Sequence, residues 1–302
     1  MTKLLVANSY YGDGTTVEII NLDDSNPDLV CDNLSDHPIK SLSSATGQLY
    51  QETTPVICGG GDGSTRCDCY SYDNEAWNSF PSLNECKSGS ASVIIYNPNI
   101  DIDEIFMITG VSNGQSTIES FNGSTWNTGR FAQMPTAVSF HCMVKINDSL
   151  LMSIGGTVNG QGATDDTFFF IIAEDKWKEG PKLNIARDNH ACGIMNWMNT
   201  TSGELEKIVV VTAGLGTSSV ELLNLNEYES FDKGWVNGPE APFDRGGSTM
   251  NELENSVVLV GGHNLYQLSS PSGPWVEMNQ TLKDERWGHV SFLVPDELVN
   301  CL

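Results

Sequence analysis

A short apolar run that ends on a turn residue, most often glycine, returns six times along the 302-residue chain. The runs are Leu4-Leu5-Val6-Ala7-Asn8, Val56-Ile57-Cys58-Gly59-Gly60, Met107-Ile108-Thr109-Gly110, Met152-Ser153-Ile154-Gly155-Gly156, Val211-Thr212-Ala213-Gly214 and Val258-Leu259-Val260-Gly261-Gly262. Their last residues stand 52, 50, 46, 58 and 48 positions apart, and counting from Gly262 through the C-terminus and on from Met1 to Asn8 gives another 48. A repeat of this length marks stacked supersecondary units that cannot bury their own faces alone. Because the period survives joining the two ends, it predicts a closed ring in a single domain, 1–302.

The third repeat gives the content of one unit. Residues 90–96 (S-A-S-V-I-I-Y) and 104–110 (E-I-F-M-I-T-G) read as strands, the second apolar enough for burial on both faces. Residues 116–121 alternate apolar and polar, Asn122-Gly123 makes a tight hairpin, and Trp126 opens an outer strand. Four strands in about 50 residues is one blade of a β-propeller. The predicted fold is all-β and six-bladed, with blades at approximately 1–38 plus 286–298, 39–86, 87–134, 135–184, 185–242 and 243–285. The sixth unit is complete near Leu282, yet a further strand follows at 289–294. That C-terminal strand is predicted to complete the first blade, which lacks an inner strand of its own. An outer-strand tryptophan recurs at Trp77, Trp126, Trp177, Trp235 and Trp275, read as packing between blades.

The apolar run ending in glycine, the strand after it, the tryptophan, and an arginine before the next inner strand (Arg187, Arg245, Arg286) together resemble the kelch-repeat β-propellers. The cysteine-bearing stretch 31–69 resembles extracellular kelch proteins of invertebrates. The resemblance covers essentially the whole chain. It implies a binding platform that works through loops on a face of the disc, and it names no activity, since a fold of this kind hosts many functions.

Charge and cysteine content narrow the setting. With 39 acidic against 15 basic residues, the net charge of −24 repels phosphate backbones and anionic bilayers, so neither nucleic acid nor membrane insertion is expected. Residues 1–8 read as a strand, with too short an apolar core for a secretory leader. Eight cysteines, Cys31, Cys58, Cys67, Cys69, Cys86, Cys142, Cys192 and Cys301, point to disulfides of unknown pairing and an oxidising compartment. The crowding of four between Cys58 and Cys86 favours local bonds. N-glycosylation sequons stand at Asn33, Asn122, Asn147, Asn199 and Asn279.

No residue set announces a reaction, a metal or a cofactor. His141, His190 and His289 begin inner strands, but lie on different blades and are read as hydrogen-bonding to blade turns. The segment 120–126 approaches a sialidase Asp-box, one residue short and with Asn for Asp. Cys69-Tyr70 and Tyr72 raise a copper oxidase, without its histidine motif. Asp165-Asp166 and 101–104 lack the calcium-loop spacing. The expected function is therefore a secreted, non-catalytic module that binds a protein or glycan or self-associates. Tyr10, Tyr11, Trp197 and Trp287 are its candidate contact aromatics. An intracellular kelch adaptor with reduced cysteines and bare sequons is the alternative, and a propeller enzyme the second.

Overall fold

The computed structural model describes residues 3–9, 15–23, 34–40, 42–61, 64–96, 104–159, 161–227 and 234–298. Tyr10, Tyr11, Cys31, Asn33 and Cys301 lie outside them. The first repeat contributes β1 (Lys3–Ala7) and β2 (Val17–Asn21), and the second β3 (Thr46–Tyr50), β4 (Thr54–Cys58), β5 (Cys69–Asp73) and β6 (Ala76–Phe80). The third holds β7 (Ala91–Tyr96), β8 (Glu104–Ser112), β9 (Gln115–Phe121) and β10 (Trp126–Asn127). The fourth runs through β11 (Val138–Ser139), β12 (Cys142–Asn147), β13 (Leu150–Ile154), β14 (Thr157–Val158), β15 (Gly162–Ala163), β16 (Thr167–Ile171) and β17 (Lys176–Glu179). The fifth gives β18 (Ala191–Met198), β19 (Leu205–Thr212), β20 (Val220–Asn224) and β21 (Val236–Asn237). The sixth gives β22 (Thr249–Glu252), β23 (Val257–Leu268) and β24 (Val276–Arg286), and β25 (Val290–Val294) follows.

All pairing is antiparallel. The first sheet is ordered β2-β1-β25, so the C-terminal strand lies beside the N-terminal one, with Lys3 opposite Val294 and Ala7 opposite Val290. The second, third and fifth sheets are four-stranded meanders, the fourth is β12-β13-β16-β17, the sixth is β22-β23-β24, and β11-β14-β15 forms a small accessory sheet.

The apolar runs occupy the second position of each sheet and are its most buried part. Leu4 to Ala7, Phe106 to Ile108, Val209 to Val211 and Val257 to Val260 are fully buried. Alternation along a strand sends successive side chains to opposite faces, and here each face packs on a different neighbour. Leu5 joins Ile57 of the second sheet while Leu4 joins Val258 of the sixth. Val56 meets Phe106 and Met107 meets Leu151. Met152 meets Val209, and Val210 meets Leu259. The tryptophans sew the same neighbours together at the outer edge. The indole N–H groups of Trp77, Trp126, Trp177, Trp235 and Trp275 donate to the carbonyls of Ser35, Pro81, Ala132, Pro181 and Pro239.

Six backbone hydrogen bonds link the segments that lead into the first strands. Gly89 N–H donates to Ser44 O (2.9 Å), Phe140 to Gly89 (2.6 Å), Asn189 to Phe140 (2.9 Å), Gly247 to Asn189 (2.8 Å), Gly288 to Gly247 (2.7 Å) and Ser44 to Gly288 (2.7 Å). The last returns to the first residue, so the six bonds form a cycle. Every residue in it has positive φ, from 53° at Ser44 and Asn189 to 85° at Gly247. A Cβ at Gly247 would stand 2.5 Å from Gly288 N, so this position needs glycine for space as well as for φ. The recurring Gly-Gly pairs have a related cause. A Cβ at Gly155 (φ +56°) would stand 2.7 Å from Arg187 O, the carbonyl to which Gly156 N–H donates at 2.9 Å.

Three disulfides join cysteines among the described residues. Cys58–Cys69 joins paired strands β4 and β5, Cys67–Cys86 closes the loops beside them, and Cys142–Cys192 staples β12 to β18 of the next sheet across 50 residues of chain. Closing a loop of that length restricts the unfolded chain by about 4 kcal/mol in the chain-entropy model. Replacing Gly247 by alanine is expected to lower the unfolding free energy by at least about 2 kcal/mol, through left-handed strain plus the clash at Gly288. Chemical denaturation followed by tryptophan fluorescence reads this directly.

Candidate functional site

Among the described residues, three buried ion pairs stand where one sheet passes to the next. Glu18 on β2, Glu119 on β9 and Glu221 on β20 are buried carboxylates. Glu119 accepts the backbone N–H groups of Asn84 (2.8 Å) and Glu85 (3.1 Å) and the Lys87 ammonium (2.7 Å). Glu221 does the same for Asn184 (2.6 Å), Ile185 (3.2 Å) and Arg187 (2.8 Å). Glu18 serves Lys283 (2.7 Å), Asp284 (3.4 Å) and Arg286 (2.6 Å). Both side chains of the Lys87–Glu119 and Arg187–Glu221 pairs are inaccessible to water. Arg187 also donates to Ala213 O and Ser219 O, and Arg286 to Asn8 O and Thr16 O. These hydrogen bonds offset much of the large cost of desolvating the charges, although Arg187 Nε is buried without a partner.

Arg187, Arg245 and Arg286 each stand four residues before a first strand, as the sequence repeat places them, but the Arg245 side chain makes no buried glutamate pair. It is exposed, pairs with Glu285 at 3.4 Å and lies over the Trp287 ring at 4.8 Å. Lys87 fills the corresponding place in the third repeat. The signal for it was a basic residue two to three positions after Asn84-Glu85, matched by Arg187 after Asn184-Ile185.

The first strands of the second to sixth sheets, with β25, enclose two cavities. The narrower, about 210 Å³, lies beside the hydrogen-bond cycle and is lined among others by Ser90, His141, His190, Ser248 and His289. The wider, about 570 Å³, lies at the far ends of these strands against Gln48, Tyr96, Lys145, Asn251 and Glu252. The Cys142–Cys192 bond joins two of the surrounding strands. His141 and His289 each share a 2.8 Å hydrogen bond with a threonine, Thr109 and Thr249. Burial pushes His141 down to about 4 and His190 and His289 to about 3, with the Arg187 and Arg286 charges adding to the effect on the last two. Glu252, the last residue of β22, is exposed and lines the wider cavity. Desolvation pushes its carboxyl up to about 7 against the opposing Ile194 N–H bond.

Other sequence candidates are dispersed. Trp287 is only 7 % exposed, packed edge-on to Phe243, with its indole N–H on Glu285; as a presented contact aromatic it is corrected to a packing residue. Trp197 stands half-buried near the end of β18, opposite Glu206. Asn122 and Asn147 use their side-chain oxygens to hold turns, and Asn199 donates to Glu206 at 2.6 Å. Asn279 is exposed within β24 rather than in a turn. Cys69 is bonded to Cys58, which removes its sulfur as a tyrosine crosslink partner. Asp165 and Asp166 are bridged by the Lys182 ammonium at 2.9 and 2.7 Å. Among the described residues no group of three His, Cys, Asp or Glu side chains is arranged to hold a metal ion, and no helix is long and apolar enough to cross a membrane. No protein-family model matches the chain, and no curated protein matches it in sequence.

Arg187→Met is expected to cost about 3–5 kcal/mol in denaturant unfolding, because it strands the buried Glu221 carboxylate; adding Glu221→Gln should recover part of this. The pH dependence has two opposed parts. The three histidines stay neutral in the fold, so the unfolded chain binds more protons below 6.5 and stability falls as pH drops towards about 4. Glu252 has the opposite sign. Its folded form holds the proton more tightly, so its contribution is complete below 4.5 and lost as pH rises through about 7. His190→Gln should flatten the acid side of a stability–pH curve and Glu252→Gln the neutral side.

Proposed function

We propose that the chain is a six-bladed propeller of kelch type, a ring closed by β25 on β1, that acts outside the cell as a non-catalytic binding or structural module. The sequence of packed neighbours, the returning cycle of backbone bonds and the pairing of the two terminal strands support the architecture. Three disulfides fit an extracellular setting.

The observation that carries the binding role is the β18–β19 hairpin. It extends past the strands beside it and holds Met198 directly opposite Leu205, 54 % and 51 % exposed. An apolar cross-strand pair kept in water, above the half-buried Trp197, offers a contact surface for a protein, a glycan or a second copy of the chain. The buried charges meanwhile serve the scaffold, which holds the hairpin and loops in place.

Non-reducing peptide mapping of protein from its natural source tests the setting. Peptides joined through Cys58–Cys69, Cys67–Cys86 and Cys142–Cys192, with glycan on the sequons, are the expected result; free thiols and bare asparagines would assign the intracellular adaptor instead. Sedimentation of wild type and Met198→Glu/Leu205→Glu across a dilution series reads self-association through the hairpin. An unchanged mass distribution would rule out the second copy as its partner.

A further inference from the structure

We propose that the wider cavity is a binding site for a small organic cation, a primary ammonium carrying an apolar body, with Glu252 as its counter-ion. This goes beyond the loop-borne binding described above and does not depend on it.

The lining carries polar groups with unspent hydrogen-bonding capacity. Gln48 spends an amide hydrogen on Ser92 O at 2.9 Å, and Asn251 spends one on Ser291 Oγ at 2.7 Å. Ser92 Oγ donates to Gly47 O at 3.2 Å. Each amide nitrogen keeps a second hydrogen, and each carbonyl oxygen remains an acceptor with no protein donor among the described residues, so both side chains can still bond to a ligand. Glu252 adds to this set. Its Oε1 accepts Ile194 N–H at 2.7 Å, which leaves the second oxygen for a ligand. The two amide oxygens can accept from an N–H donor, and the free carboxylate oxygen is what selects a cationic one.

The charge of the site agrees. No lysine or arginine among the described residues forms an ion pair with Glu252. Lys145, the cation lining the cavity, pairs with Asp148 at 3.2 Å and lies over the Tyr96 ring at 4.9 Å. Lys207 directs its ammonium to Ile146 O at 3.4 Å. Both act on Glu252 only as distant charges, and neither forms an ion pair with it. An ammonium within hydrogen-bond distance would supply the missing partner. The net charge of −24 raises the local concentration of any cation.

The remaining wall is apolar, with Leu49, Val93, Met143, Met250 and Phe292 on the lining. About 570 Å³ admits a molecule larger than a bare ammonium ion, and ligand cavities of this size pair apolar walls with a few convergent polar groups. An alkyl or aryl body on the amine therefore has a surface to cover.

Isothermal titration calorimetry with phenethylamine at about pH 8, where Glu252 is ionised and the amine protonated, tests the site, with 2-phenylethanol as the uncharged isostere. The wild-type chain is expected to bind the amine saturably and at least about tenfold more tightly than the alcohol, the size of one charge-assisted hydrogen bond. Glu252→Gln should lose about the same factor. Its thermal unfolding is measured alongside and is expected to be no lower than wild type, since the substitution removes a desolvated carboxylate. Equal binding of the amine by Glu252→Gln would place the cation on the acidic surface and overturn the proposal. Equal binding of the alcohol, or no saturable heat from the amine, would overturn it as well. Met198→Glu/Leu205→Glu should bind phenethylamine like wild type, so a failure at the hairpin and a failure at the cavity are read separately.

Discussion

The cycle of six backbone hydrogen bonds is the constraint on which the rest of the structure depends. Each bond requires its residue to turn through positive φ just before a first strand, and this aims all six strands around the two cavities. Three of the six positions are glycine and three are Ser44, Phe140 and Asn189. The latter carry strain of about 1 kcal/mol or more, which persists only where surrounding contacts over-determine the conformation. They do so here: each member both donates and accepts within the cycle, so no one residue can leave its conformation without breaking two bonds. The first strands follow from this, and with them the register of every sheet behind.

Outward from the cycle, the junctions between sheets use two devices. Lys87, Arg187 and Arg286 extend their side chains to a glutamate on the following sheet. Lys87 and Arg187 also give their own carbonyls to the glycine pair on the preceding one, at Gly60 and Gly156. One residue thereby ties two sheets, through its charge on one side and its backbone on the other. The glutamates have a second task, because each caps two backbone N–H groups that an apolar residue would leave unsatisfied. Apolar replacement of such an ion pair is often harmless in proteins. Here it would orphan those N–H groups as well, which gives the buried carboxylates a structural purpose beyond charge pairing.

The disulfides reinforce different directions of the same scaffold. Cys58–Cys69 and Cys67–Cys86 strengthen the second repeat within itself and at its exit. Cys142–Cys192 instead joins first strands of neighbouring sheets beside the cavities, where the sheets have no backbone ladder between them. A scaffold braced in this way holds a cavity wall at fixed dimensions, and it supports an apolar hairpin tip in water without unfolding around it. Both candidate binding regions draw on this rigidity, the β18–β19 tip at the surface and the Glu252 cavity within.

Sequence and tertiary structure divide the protein along a physical line. The chain alone determined the recurring β unit, the deep burial of the glycine-run strands, the pairing of 290–294 with the first strand, and the place of the tryptophans between neighbours. These depend on period-two patterning, turn chemistry and regular spacing, all of which are local. Only the folded structure decided that Lys87 belongs with Arg187 and Arg286 while Arg245 lies outside on Trp287. It also decided that Cys142 meets Cys192, that Trp287 is buried, and that an ordinary glutamate at 252 faces a cavity with its carboxyl lifted. Each of these is fixed by which strand of another sheet stands opposite, and residue type and spacing along the chain carry no record of that distance.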